Sequence, residues 1–276
     1  MSSLRAAAFL AVTSFACAQP TILMIGDSSG SYAGQSLAAY CDGATVMNRA
    51  EGGTTAAQWT SSKITEAISG CSTFTHVWIG IGGNDLFAAS CTMTQTTVES
   101  RIQTMINDLK AKMAAVGYGA NDYKIFATGY CVPASNDECP DDATLLSGIA
   151  TLQGAWAQIA TQNSEVTFFD SALACAAPDM NTFSPSTHHV DSIHFNDKGY
   201  CSTWTNSAIQ TYLGCGQPTS PYSCDSIPSP YSVTPPLPAH PPAEPPPPLG
   251  MLIRRQPVAH PRPARSLPHQ PCCPAA

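Results

Sequence analysis

Apolar residues along this chain follow two rhythms. Short runs, continuous rather than alternating with polar residues, occur at Ile22–Ile25, Ala44–Met47, Val77–Ile81, Ile125–Thr128 and Val166–Phe169. A run without a polar side predicts a strand covered on both faces. Between the runs the period lengthens to that of a helix. Val98, Ile102, Met105, Ile106, Leu109 and Met113 share one stripe, and Leu145, Ile149, Leu152, Trp156 and Ile159 another. A less regular helix is expected after Thr55, one beginning near Ser31 after the Ser29-Gly30 turn, and one from about Asp197 to Leu213. Strands alternating with helices form right-handed βαβ units, so the expected class is α/β, a three-layer α/β/α sandwich around five parallel strands.

The two ends do not share this pattern. Arg5, the apolar stretch Ala6 to Phe15 and the small residues Ala16-Cys17-Ala18 read as a signal peptide cleaved before Gln19. Its apolar part is too short to span a bilayer, and no later stretch approaches the roughly 20 apolar residues a spanning helix needs. Residues 216–276 hold nineteen of the twenty-four prolines, including Pro245 to Pro248. Such a segment is expected to be extended and solvated, a bland tail rather than the alternative of a stalk, spacer or proline-motif ligand. The expected division is a signal peptide over 1–18, one folded domain over 19–215 and a proline-rich tail over 216–276.

Charge narrows the partners. Seven Lys or Arg against seventeen Asp or Glu give residues 19–215 a net charge of −10. An acidic surface repels phosphate backbones, which argues against nucleic acid, and no basic amphipathic stretch argues for a membrane surface. The twelve cysteines suit an oxidising, extracellular compartment. Eight of them fall within 19–215, with no C-x-x-C pair and no zinc spacing, so disulfides are expected. Cys131–Cys139 and Cys41–Cys71 are the pairings nearest to hand.

Candidate chemistry sits where ligands bind in open α/β sheets, past the carboxyl ends of the strands. Ser28 follows the first strand in Gly26-Asp27-Ser28. Asn48 to Thr54, with its Gly52-Gly53 turn, follows the second, and Gly82-Gly83-Asn84-Asp85 the third. Near the end of the domain stands Asp191-Ser192-Ile193-His194. Serine is a weak nucleophile until a base takes its proton, and histidine serves as that base when a carboxylate holds its ring in one tautomer. Backbone N–H groups at a glycine turn and the side-chain amide of Asn84 are neutral donors that suit an oxyanion. Taken singly, Ser28 is a helix cap, Gly53 and Asn84 are turn formers, and Asp27 and Asp85 are carboxylates that satisfy turn amides. Together they supply every role of an acyl-transfer site.

These four segments, in this order across residues 21–213, resemble the sequence blocks of the SGNH (GDSL) hydrolases. The resemblance implies a flavodoxin-like sheet in the order 2-1-3-4-5. It implies Ser28 as nucleophile, His194 as general base and Asp191 as its orienting carboxylate. Oxyanion donors would be the N–H of Ser28, the N–H of Gly53 and the side chain of Asn84, with no metal and no organic cofactor. Two residues depart from the pattern: Phe195 stands where many members carry proline, and Glu51 brings a charge near the oxyanion turn. If Glu51 points inward it opposes a negative intermediate.

Three other readings fit fewer residues. Gly26-Asp27-Ser28-Ser29-Gly30 has the form of the α/β-hydrolase elbow, but that elbow lies deeper in its domain and takes acid and histidine from separate loops. In chymotrypsin-like proteases histidine and aspartate precede the serine. His188, His189, Asp191 and His194 lack the helical spacing of a zinc site. The expected activity is hydrolysis of carboxylic esters through an acyl-enzyme by a secreted protein. The substrate carries short acyl groups on a glycan, with lipid esters, or a non-catalytic glycan- or lipid-binding module, as alternatives. Tyr32, Phe87 and Tyr130 are candidate walls. The segments Cys131–Cys139 and Leu173–Val190 are expected to border the pocket.

Overall fold

The computed structural model describes residues 19–70, 73–170, 183–215 and Cys224. The stretch 1–18 read above as a signal peptide, the proline-rich segment other than Cys224, Cys71, Cys175 and the first part of the Leu173–Val190 stretch lie outside them.

Five strands, β1 (Thr21–Gly26), β2 (Thr45–Asn48), β3 (His76–Gly80), β4 (Lys124–Thr128) and β5 (Val166–Phe169), form one sheet in the order β2-β1-β3-β4-β5. Every pairing is parallel, with Ile22 opposite His76 and Gly26 opposite Gly80. The unbroken apolar runs follow from burial on both sides. Leu23, Ile25, Val77, Ile79 and Ile125 face one layer, built on helices α2 (Ser61–Ile68), α4 (Gln95–Ala115) and α5 (Asp142–Gln162). Ile22, Met24, Trp78 and Phe126 face the other, built on α1 (Ser28–Tyr40), α6 (Asp197–Trp204) and α7 (Ser207–Leu213). A side chain buried this completely contributes about 1.5–3 kcal/mol, which is why apolar residues fill the middle of the strands and the buried polar ones, His76 and Thr128, stand at strand ends.

The structure differs from the sequence reading in four places. The first helix starts at Ser28 rather than near Ser31, because the Asp27 side chain accepts from Ser29 N at 2.9 Å and caps it. The glycine turn after β3 continues into a short helix, α3 (Gly83–Ala88). The stretch after Thr55 opens as a 3₁₀ turn at Ala56–Gln58 before α2. The last predicted helix is two, because Asn206 stops α6 and caps α7 through Ala208 N and Ile209 N.

Neither expected disulfide forms. Cys41 bonds Cys215 and Cys139 bonds Cys91, while Cys201 reaches Cys224, past the expected end of the body. Cys131 is also disulfide-bonded. Proximity along the chain misled because α1, which ends beside Cys41, and α2, which leads to Cys71, lie on opposite faces of the sheet. A link closing 174 residues also removes more unfolded-chain entropy than a short one, on the order of 5 kcal/mol in the loop-entropy picture. No helix among the described residues is long and apolar enough to cross a membrane.

Candidate active site

The end of β1 is held against β3 so tightly that only glycine fits there. Gly26 has φ +131°, and a Cβ on it would lie 1.8 Å from Gly80 O. The chain turns there, Asp27 N donates to Gly80 O at 2.8 Å, and Ser28 opens α1 above the sheet.

His194 reaches Ser28 from the far end of the body by a set of local contacts. A bridge pairs His189 with Phe195, and Val190 N donates to His194 O, forming a narrow loop. Asn196 closes it by donating to Thr187 O and His189 O, and its own Oδ1 caps α6 through Gly199 N. Helix α6 then braces the helix that carries the serine. Tyr200 Oη donates to Ser29 O at 3.0 Å, Trp204 Nε1 to Ala33 O at 3.2 Å, and Ser36 Oγ to Asp197 Oδ1 at 2.8 Å. Phe195, the departure noted above, is buried edge-on against His189 and Tyr200, so it serves this packing.

The resulting geometry joins three side chains. Ser28 Oγ lies 2.7 Å from His194 Nε2, and His194 Nδ1 lies 2.7 Å from Asp191 Oδ2. A carboxylate only accepts, so Nδ1 carries the proton and Nε2 is left to accept from the serine hydroxyl. Asp191 Oδ1 accepts from Ile193 N at 2.8 Å and His194 N at 2.6 Å. Partial burial pushes Asp191 up, but those N–H groups and the imidazole outweigh it and hold the carboxyl below its ordinary value.

Gly53, with φ +77°, and Asn84 line the same cleft as Ser28, a space of about 300 Å³. The glycine turn is pinned to β1 by Glu51 N donating to Gly26 O at 2.9 Å. Thr54 Oγ1 accepts from Trp59 Nε1 and lies within reach of Gly26 O. Asn84 Nδ2 donates to Thr54 O at 3.0 Å, which orients the amide and leaves its second N–H. Its neighbour Asp85 is buried, accepting from Ala56 N at 2.7 Å and from the Arg101 guanidinium at 3.0 Å. Asp85 therefore fastens the loop after β2 to the start of α3 and to α4. Glu51 points outward and pairs with Lys63.

Beneath the serine, Asp27 is fully buried and accepts from the Tyr130 hydroxyl as well as from Ser29 N. Burial pushes its carboxyl up to about 6, the hydrogen bonds from Tyr130 and Ser29 limiting the rise. Burial, and after it the Asp27 charge, pushes the Tyr130 hydroxyl far above its ordinary value. Two buried histidines behave oppositely. Burial lowers His76, at the other end of the sheet, and His189 to about 4 each. A base with a depressed value contributes stability that is present above the unfolded value of 6.5 and lost as pH falls towards 4. Asp27, raised from 3.8, contributes in the other sense, its part being lost as pH rises through about 6. The two histidines act together and Asp27 opposes them only in part, so a net loss of stability is expected as pH falls from 6.5 towards 4. Urea unfolding at pH 7 and 4.5 measures it. His76→Gln should make that loss shallower, and an unchanged slope in that variant would contradict the assignment.

Of the sequence-expected wall residues, Phe87 and Tyr130 line the cleft. Tyr32 lies outside its lining, with its ring 4.9 Å from that of His194. The loop after β4 contributes Glu138 to the cleft wall. His189 turns its Nδ1 to Pro185 O at 3.1 Å, away from His194, and among the described residues no group of three or more His, Cys, Asp or Glu is placed to hold a metal. Sequence reasoning missed Ile193 as a cleft wall and Tyr200 as the brace beneath Ser29. Ile193 could have been suspected from its place beside His194, whereas nothing local marks Tyr200.

Comparison with known proteins fits this arrangement. The profile of the GDSL-like lipase/acylhydrolase family matches residues 18–201. No curated protein matches significantly. Solved structures with the same fold include Est24, a carbohydrate acetylesterase from Sinorhizobium meliloti, at 16% identity and TM-score 0.52, covering 71% of this chain and 99% of that one. The aryl esterase of M. smegmatis aligns at 16% identity and TM-score 0.50, with 71% and 99% coverage. A GDSL-like lipase from Bacteroides thetaiotaomicron aligns at 15% and 0.51, with 71% and 88% coverage. At these identities the likeness carries the fold alone.

Proposed function

This chain belongs to the GDSL-like lipase/acylhydrolase family and is a carboxylic ester hydrolase, and from that premise we propose that Ser28, His194 and Asp191 form its catalytic triad and that its substrates are short acyl esters of carbohydrate. As Ser28 Oγ attacks the ester carbonyl, its proton passes to His194 Nε2. The N–H groups of Ser28 and Gly53 and the amide of Asn84 donate to the oxyanion of the tetrahedral intermediate. His194 then protonates the departing alcohol, leaving the acyl group on Ser28. Water enters, gives a proton to His194 and attacks the acyl carbon, and collapse releases the acid and restores the serine. Asp191 keeps Nδ1 protonated throughout. No step calls for a metal or an organic cofactor.

The observation that carries this reading is the unbroken pair of 2.7 Å hydrogen bonds from Ser28 through His194 to Asp191, beside a cleft that also holds Gly53 and Asn84. The carbohydrate part rests on the cleft wall. Glu138, exposed at the cleft wall, can accept from a sugar hydroxyl, a contact that an alkyl chain does not offer. Phe87 and Tyr130 offer aromatic surface to the C–H faces of a sugar ring. We take residues 1–18 as a signal peptide, 19–215 as the catalytic body and 216–276 as a tail outside the chemistry, tethered at its start by Cys201–Cys224. Export to an oxidising compartment fits these disulfides.

Labelling of the full chain by a fluorophosphonate, followed by peptide mapping, tests the nucleophile, and acetate release from acetylated polysaccharide beside hydrolysis of nitrophenyl octanoate tests the substrate. The expected result is a label on the Ser28 peptide and the faster rate on the polysaccharide. Preference for octanoate would turn the reading to lipid esters. A folded protein that takes no label would be a binding module.

A further inference from the structure

Behind the wall of the open cleft lies a second, smaller space that no catalytic step above uses. It measures about 60 Å³ and is bounded by Trp78 and Thr128 of the sheet, Ile149 of α5, and Phe195, Thr203 and Trp204 around α6. Phe87, Tyr130, Ile193 and His194 border both this chamber and the cleft, so the two meet beside the reacting serine and histidine. The chamber is mostly apolar, and its walls are fixed. Trp78 and Trp204 are 2% and 1% exposed and meet edge-on at 5.9 Å, and Trp204 is further held by its bond to Ala33 O.

We infer that this chamber receives the acyl group of the ester and limits it to two or three carbons, the alcohol part remaining in the open cleft. The inference rests on Ser28 being the nucleophile. Two observations place the acyl group there rather than the alcohol, and a third limits its length. The chamber adjoins His194 but closes against two indoles, so it holds a chain end and not a polymer. Its apolar walls suit an alkyl group, while the charged Glu138 sits on the cleft side. Its size sets the limit. A cavity of roughly 150 Å³ accommodates a six-carbon ring, so about 60 Å³ leaves room for two or three carbon-sized groups. One methylene too many in a rigid apolar pocket costs roughly 10–200-fold in discrimination, because close-packed walls do not stretch to admit it.

The test is a series of nitrophenyl acetate, propionate, butyrate and hexanoate with the full chain, read as ratios of kcat/KM so that general damage cancels. Wild type is expected to fall at least tenfold from propionate to butyrate. Thr128→Ile, which adds bulk from the sheet side, should lower the propionate-to-acetate ratio about tenfold. Thr203→Ala, which enlarges the chamber from the helix side and stands if the first variant does not fold, should raise the butyrate-to-propionate ratio by a similar factor. Ratios that stay fixed in both variants, or a wild-type rate that climbs steadily to hexanoate, would overturn the chamber while a fluorophosphonate label on Ser28 still upheld the nucleophile. Absence of that label would instead remove the reading on which the chamber depends.

Discussion

Ser28→Ala and His194→Ala are each expected to lower kcat on a short-chain nitrophenyl ester by on the order of 10⁶-fold. In the proposed mechanism they act as one unit. Without Ser28 there is no acyl-enzyme, and without His194 the hydroxyl 2.7 Å away keeps its proton at the moment of attack. The same logic gives a stricter outcome: the double variant should be no slower than either single one. Losses that multiply in the double variant would mean that the two side chains act independently and that their hydrogen bond has no catalytic meaning. Asn84→Ala gives a graded contrast, because it removes one donor of three and should cost only about 10²–10³-fold. Thermal unfolding of the serine variant should match wild type, since Asp27, not Ser28, caps α1.

Asp191→Asn is expected to reduce kcat by about 10³- to 10⁴-fold while leaving the fold intact. Asn can keep a carbonyl oxygen towards Ile193 N and His194 N, the two backbone bonds that shape the loop. It must then present an amide N–H₂ where Oδ2 stood, 2.7 Å from His194 Nδ1. Two donors cannot face each other, so the imidazole moves its proton to Nε2 and can no longer take one from Ser28. The same exchange in a buried triad costs about 10⁴-fold. Here the carboxylate is 48% exposed, and water can partly restore the reactive tautomer, which places the effect at or below that figure. The readout that separates tautomer from mere structure is a ring-nitrogen NMR spectrum of His194: the protonated nitrogen should change from Nδ1 to Nε2. Full activity in Asp191→Asn would remove the carboxylate from the triad.

The layered fold was legible because its signal is local and repeated. Each strand run, such as Ile22–Ile25, must be apolar on both sides, and each long helix, such as α4, must keep one stripe for the core. Boundaries that depend on a single side chain were not. Asp27 moved the start of α1 back to Ser28, and Asn206 divided the last helix. The disulfides failed for a related cause: spacing along the chain does not tell which face of a sheet each helix will cover, and Cys41 found Cys215 in its own layer.

The site divides along the same line. The kinds of groups needed for acyl transfer, and the loops past β1, β2 and β3 that bear them, are matters of composition and order, and those the chain determines by itself. The contacts that bring the groups together come from residues remote in sequence: Tyr200 bracing Ser29, Ser36 holding Asp197, Tyr130 bonding Asp27, and Asp85 fastened by Arg101. So does the small chamber behind His194, whose walls come from β3, β4, α5 and α6. A pattern of apolar and polar positions specifies which side of an element is buried, because that depends on each residue's own transfer from water. Which partner it meets, and how much space is left between them, depends on the packing of all layers at once, and only the tertiary structure decides it.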